Sequence, residues 1–238
     1  MLSVSNLYQT TTCFFVPKHF LYIAFLKPGM IDRTKITYES IRQAWDKNGF
    51  AFFDRGNLNL NIFGVRNASH QVDQFDDLLG IAFRRNNNPE VRLYPATTHP
   101  GLTELVNPSF PNAQKNGTAI LAPGQYRSAY RLGFHGTGTW RHEALVQQRP
   151  VRIYRDKNRD TLIDFVPKTL EAGLYGINIH GSSLWGVAQN VGRASAGCQV
   201  FQSGADLREF IGICKEAAAQ WGPVFTYTLV NETDFFAQ

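Results

Sequence analysis

Cysteine is scarce in this chain: Cys13, Cys198 and Cys214 are its three, too few and too scattered for a disulfide framework and without the paired spacing of a zinc site. No apolar run approaches the length of a bilayer-spanning helix. The nearest, 13–16 and 20–26, are separated by Pro17, Lys18 and His19, and no basic segment or small-residue cleavage site frames them as a secretory signal. No block of like charge is present either. Lys and Arg outnumber Asp and Glu by 24 to 19, a formal charge of +5, but the excess is dispersed and Arg84-Arg85 is the sole basic doublet. That pattern argues against a nucleic-acid partner and leaves ordinary solubility or attraction to an anionic surface. His99 and His142 lack a His-Glu-x-x-His or comparable spacing, which argues against a zinc peptidase.

At 238 residues the chain can bury a sizeable core without staples. Residues 1–35 read as an N-terminal extension, poorly ordered or not native, since a start at Met30 would remove most of it. Residues 36–238 read as a single domain with an N-terminal helix. Thr37 can cap that helix, Ile41, Ala44 and Trp45 recur on one face, and Gly49 supplies the stop. Leu58, Leu60 and Ile62 alternate with Asn57, Asn59 and Asn61, the period of a half-buried strand. Further short apolar runs lie at 78–83, 91–94, 118–121, 126–132, 144–147 and 151–154. A second helix is expected over 205–221, with Leu207, Phe210, Ile211, Cys214 and Ala218 on one face and Gly222 after it; a strand at 224–230 closes the pattern. Cys214 therefore reads as core. The class is α+β, mainly β with a few helices.

One acidic stretch calls for separate weighing. Asp156, Asn158, Asp160 and Asp164 copy the oxygen spacing of the first nine positions of a calcium loop. Thr161 replaces the glycine of the sharp turn, however, and Pro167 the final glutamate. The readings are a weak calcium site or a charged turn closed by Asx hydrogen bonds; no other metal or cofactor is expected.

Chemistry concentrates in the segment YGINIHGSSLWGVAQNVGRASAGCQVF, residues 175–201, which brings His180 and Cys198 into two short runs of small residues. A cysteine attacks as its thiolate, and an imidazole within reach can take the proton. Gly181 and Gly197 let the backbone approach a substrate and aim N–H groups at a developing oxyanion. The bland alternative is a strand histidine and a buried cysteine that merely pack. His135, in Gly133-Phe134-His135-Gly136, sits in a loop that can approach the same cleft, and Trp185 either lines the site or anchors the loop.

The runs His180-Gly181-Ser182 and Ser195-Ala196-Gly197-Cys198, with fourteen residues between His180 and Ser195, resemble the signature of the L,D-transpeptidase family, the YkuD-type domain. Ala196 departs from it, standing where that family usually carries a second histidine, and Cys198-Gln199-Val200 departs from the usual downstream arm. The order Ser-Ala-Gly-Cys-Gln-Val is similar to a branch common in phage and prophage sequences. Ala122-Pro123-Gly124-Gln125-Tyr126 looks like the family's turn before the catalytic strand.

The resemblance runs from about residue 38 onward and implies a β-sandwich catalytic domain. His180 would end one strand and Cys198 begin another, with 186–196 as the rim of the cleft. Cys198 is then the nucleophile, His180 the base, and the Gly181 carbonyl orients the imidazole. Main-chain N–H groups around Ser195, Ala196, Gly197 and Cys198 hold the oxyanion, while His135, Tyr126, Trp185 and Ser182 are candidate substrate contacts. The implied partners are peptidoglycan stem peptides at the bacterial envelope, and the export route is left open. Transpeptidation is the first expectation, a carboxypeptidase or endopeptidase on the same site the alternative, and a wall-binding or virion protein without chemistry a third.

Overall fold

The computed structural model describes residues 30–236; the apolar stretch at 13–26, with Cys13, lies outside them. The packed part begins earlier than residue 36, because Ile31 is already buried against the first helix.

The strands, in chain order, are β1 Asn61–Arg66, β2 Asp77–Arg85, β3 Asn88–Thr97, β4 Thr118–Leu121, β5 Gly124–His135, β6 His142–Gln147, β7 Val151–Asp156, β8 Glu171–Gly173, β9 Ile179–Gly181, β10 Gln199–Phe201 and β11 Val224–Asn231. The α-helices are α1 Tyr38–Lys47, α2 Leu102–Val106, α3 Pro111–Asn116, α4 Gly204–Trp221 and α5 Glu232–Phe236. The mainly β, α+β class stands. Where two stacked layers were expected, eight strands close into a barrel in the order β1-β11-β5-β6-β9-β10-β3-β2, and β4-β7-β8 form a separate sheet. Most pairs are antiparallel; β1 with β11 and β9 with β10 are parallel.

The local signals explain the helices. Thr37 and Ser40 form a reciprocal capping box on α1, which satisfies end groups that water would otherwise have to serve. Trp45 and Ile41 bury fully against Phe63 and Val65 of β1. Ser203 accepts from the N–H groups of Ala205 and Asp206 to start α4, and Gly222, at φ +82°, ends it. Phe210, Ile211 and Cys214 of α4 join the main core, as the helical period predicts.

The alternation at 57–62 misreads β1. Leu58 has a positive φ and 57–60 are not strand, while β1 itself is buried on both faces. Ile62 turns to the main core and Phe63 and Val65 to the α1 cluster. Asn61 is buried because its amide bonds main-chain groups of Phe53 and Ala82. Two covered faces remove the polar-out half of a strand's period.

Candidate active site

Parallel pairing of β9 with β10 sets His180 beside Val200, and the Gln199 N–H donates to the Asn178 carbonyl at 2.9 Å. Cys198 immediately precedes β10, so this register brings the cysteine and the histidine to one wall. Both line a cavity of about 570 Å³ together with His135, Asn178, Arg155, Arg193 and apolar side chains. Sequence spacing alone cannot supply that juxtaposition, since 17 residues intervene; the strand register does.

The 182–197 loop is pinned at several points. Gly192 N–H donates to the Asp73 carboxylate at 2.6 Å, Gly101 N–H to the Ser195 carbonyl at 2.9 Å, and Ala188 N–H to the Gln202 carbonyl at 3.0 Å. Gly197 adopts φ +120°, and a Cβ there would sit 2.4 Å from the Ala119 carbonyl oxygen, so the turn into Cys198 requires glycine. Gln199 locks the turn from below: its amide N–H reaches the Gly197 carbonyl at 3.3 Å while its oxygen accepts from the Tyr227 hydroxyl at 2.9 Å inside the barrel.

The Cys198 sulfur donates to the Gly176 carbonyl and receives the Asn178 main-chain N–H, both at 3.4 Å. Burial pushes the thiol up to about 11, with the Asn178 bond pulling the other way. His180 Nδ1 lies 3.0 Å from the Gly181 carbonyl; because a carbonyl only accepts, the proton sits on Nδ1 and Nε2 is the free acceptor. Nε2 is buried without a hydrogen-bond partner among the described residues. Burial, reinforced by the His135 ring, pushes the imidazole down to about 3 against the Gly181 bond. Thiol and imidazole are thus both neutral at rest, and no hydrogen bond joins them in this state.

The His135 ring stacks on His180, centroids 3.7 Å apart and 11° from parallel, and accepts from the Asn178 amide at 3.1 Å. His142 lies directly across the β5–β6 ladder from His135 and takes the Gly181 N–H on Nε2 at 3.3 Å. The sequence reading leaves His142 unassigned and does not single out Asn178. The hairpin register was the missing information for the first. For the second, the available signal was a lone polar residue between Ile177 and Ile179.

Several candidates take other places. Tyr126 is buried, its hydroxyl donating to the Ala122 carbonyl, which makes it a clamp on its own turn rather than a substrate contact. The Ser182 hydroxyl is likewise committed, to the Phe201 carbonyl at 2.8 Å. Ser195 is fully buried, donates to the Cys198 carbonyl at 2.8 Å and accepts the Gly197 N–H at 3.2 Å, so that N–H is engaged at rest. Ala196 does line the cavity. Trp185 is 85 % exposed and borders a different cavity of about 410 Å³ beside His142 and α4, with the Arg208 guanidinium over its ring. His99 contacts the buried Asp77 carboxylate at 3.3 Å.

The acidic stretch at 156–164 is closed by its own hydrogen bonds. The Asn158 amide donates to both Asp160 and Asp164 carboxylates, at 2.9 and 2.7 Å, and the Asp164 N–H donates to Asp156 at 3.0 Å. The Asp160 N–H also donates to Asn158 Oδ1 at 3.3 Å and the Leu162 N–H to Asp160 at 2.7 Å, the Asx bonds of a charged turn. Among the described residues no group of three or more His, Cys, Asp or Glu side chains is arranged to hold a metal ion. No described helix is long and apolar enough to cross a membrane. No family model matches the chain, and no curated protein or solved structure shows significant similarity to it.

Proposed function

We propose that the chain is a cysteine-dependent acyl-transfer enzyme of the L,D-transpeptidase type, acting on peptidoglycan stem peptides at the bacterial envelope. The carrying observation is the His180 Nδ1 bond to the Gly181 carbonyl. It leaves Nε2 as an unpartnered acceptor in the cavity that also holds Cys198, which is the tautomer a general base needs. The L,D-transpeptidase-like fold belongs to the same proposal, with β9 carrying the base and the turn into β10 the nucleophile.

In this mechanism the acyl donor enters with the carbonyl of an L-residue, joined to a D-residue, facing the sulfur. The thiol leaves its resting bond to Gly176, and its proton passes to His180 Nε2 as the carbon–sulfur bond forms. The carbonyl π electrons move to oxygen, which the Cys198 N–H receives as donor, the Gly197 N–H being engaged by Ser195 at rest. The imidazolium then protonates the departing amine as the carbon–nitrogen bond breaks, leaving a thioester on Cys198. An incoming amine gives a cross-link and water gives hydrolysis; both regenerate the thiol. Ala196 does not break this sequence, since no step uses a side chain at 196.

Defined muropeptides incubated with the full chain, with products read by mass spectrometry, test the proposal. A cross-linked dimer or a shortened stem is expected, together with a thioacyl adduct on Cys198. Product formation undiminished in Cys198→Ala would remove the nucleophile, and a protein that retains muropeptides without altering them would be a binding module.

A further inference from the structure

The cavity wall carries a charge pattern that nucleophile and base do not require. Among the described residues no carboxylate residue lines it, yet two arginines do, Arg155 and Arg193. Each is held in place from outside the lining. Arg155 Nε donates to Glu171 at 2.7 Å and Nη1 to the Gly117 carbonyl at 3.0 Å, and the group lies over the Tyr175 ring. Arg193 Nη1 donates to the buried Glu104 at 3.1 Å and to the Ser109 hydroxyl at 2.5 Å. Among the described residues these bonds leave the Nε–Nη2 edge of Arg193 and the Nη2 nitrogen of Arg155 uncommitted, and neither glutamate lines the cavity. The free edge of Arg193 is a fork of donors that suits a planar carboxylate, and Arg155 adds a single Nη2 donor beside it. The imidazoles of His135 and His180 are both pushed toward the neutral form by burial, so the arginines are the cationic groups of the lining.

Resting on the acyl-transfer reading above, we infer that Arg155 and Arg193 are specificity residues that take a carboxylate of the acyl donor, so that a donor with this carboxylate amidated is rejected. Apolar neighbours such as Phe110 and Leu174 would cover the methylene groups beside that carboxylate and keep competing water away from the ion pair.

Two carboxylates that flank the scissile bond of a stem tetrapeptide have this chemistry: the C-terminal one and the one on its diamino acid. Full-length Cys198→Ala protein is titrated with the intact tetrapeptide and with two versions carrying an amide at one position or the other. The intact donor is expected to bind about 10- to 100-fold more tightly than one amidated version, and the version that loses affinity identifies the carboxylate that is read. In Arg193→Gln the discrimination should shrink about tenfold or more. Arg155 also braces Glu171 and Gly117, so its variant can fail to fold; the comparison among donors and Arg193→Gln do not depend on it. Equal affinity for all three peptides, no uptake of any, or an unchanged ratio in Arg193→Gln would overturn the inference. Mass spectrometry of wild-type protein is read separately. Cys198 acylated alike by all donors leaves the nucleophile standing without the carboxylate recognition, whereas a binding preference without any adduct leaves recognition standing without the nucleophile.

Discussion

Cys198 pushed up to about 11 and His180 pushed down to about 3 describe a pair that waits as thiol and imidazole, not as a preformed ion pair. Labelling of the free protein with iodoacetamide, resolved by peptide mass to separate Cys198 from Cys13 and Cys214, should accelerate about tenfold per pH unit between pH 7 and 10. A plateau below pH 8 would show that the thiolate already exists at rest and would refute this description. His135 contributes as a positioning residue through its stack on His180 and its bond to Asn178. His135→Ala is expected to lower kcat about tenfold or more with KM nearly unchanged, and an unaltered kcat would reduce the stack to packing. Cys198, His180 and Gly181, carried by two short runs, were legible in the sequence as candidates, and their meeting in one cavity was not. His142 and Gln199 were not, because their roles arise from a hairpin register and a barrel interior that no local pattern encodes.

Turns and strands make their own claims. Gly197→Ala puts a methyl group against the Ala119 carbonyl in a backbone region that disfavours side chains, so it should destabilise the fold by about 1–3 kcal/mol and cut turnover more than 100-fold. Thermal unfolding and kinetics on one preparation check both, and full activity would mean that the turn can relax. At the acidic turn, burial and then its neighbours Asp164 and Asp160 push the Asp156 carboxyl up to about 6. A carboxyl raised above its unfolded value is most favourable to the folded state at low pH and loses that advantage as pH rises from about 4 through 6. Asp156→Asn should therefore raise the melting temperature at pH 7.5 by a few degrees and leave it unchanged at pH 4; a drop at pH 7.5 would contradict the assignment. The helices α1 and α4 were readable because ten and eighteen residues carry several turns of period plus caps. The strands β8, β9 and β10 have three residues each, too few for alternation to register, so the strand pair that frames the site emerges only from the assembled sheet.

Across the whole molecule, a buried cluster ties the barrel to the neighbouring sheet. Arg66 is fully buried and bonds the Thr98 hydroxyl and carbonyl and the Leu121 carbonyl, all at 2.9 Å, while Asp77 accepts from Asn67, the Thr98 N–H and the Thr98 hydroxyl. Burial alone would raise the Asp77 carboxyl, but His99, the Asn67 N–H and Arg66 outweigh it and hold the group down at about 2. Its contribution is present above the unfolded value near 4 and lost as pH falls through about 2, roughly 2 kcal/mol over that window. Asp77→Asn should cost about 3–5 kcal/mol at pH 7 and flatten the stability profile between pH 4 and 2 in urea titrations; a profile parallel to wild type would exclude this role. The closure of the barrel sets a further condition, on synthesis. Because β11 is the stave between β1 and β5, a nascent chain on the ribosome carries both flanking edges unsatisfied until residues 224–231 emerge. The segment bearing His180 and Cys198 is by then already made, so through that interval the unpaired edges of β1 and β5 are open to strand pairing with other chains.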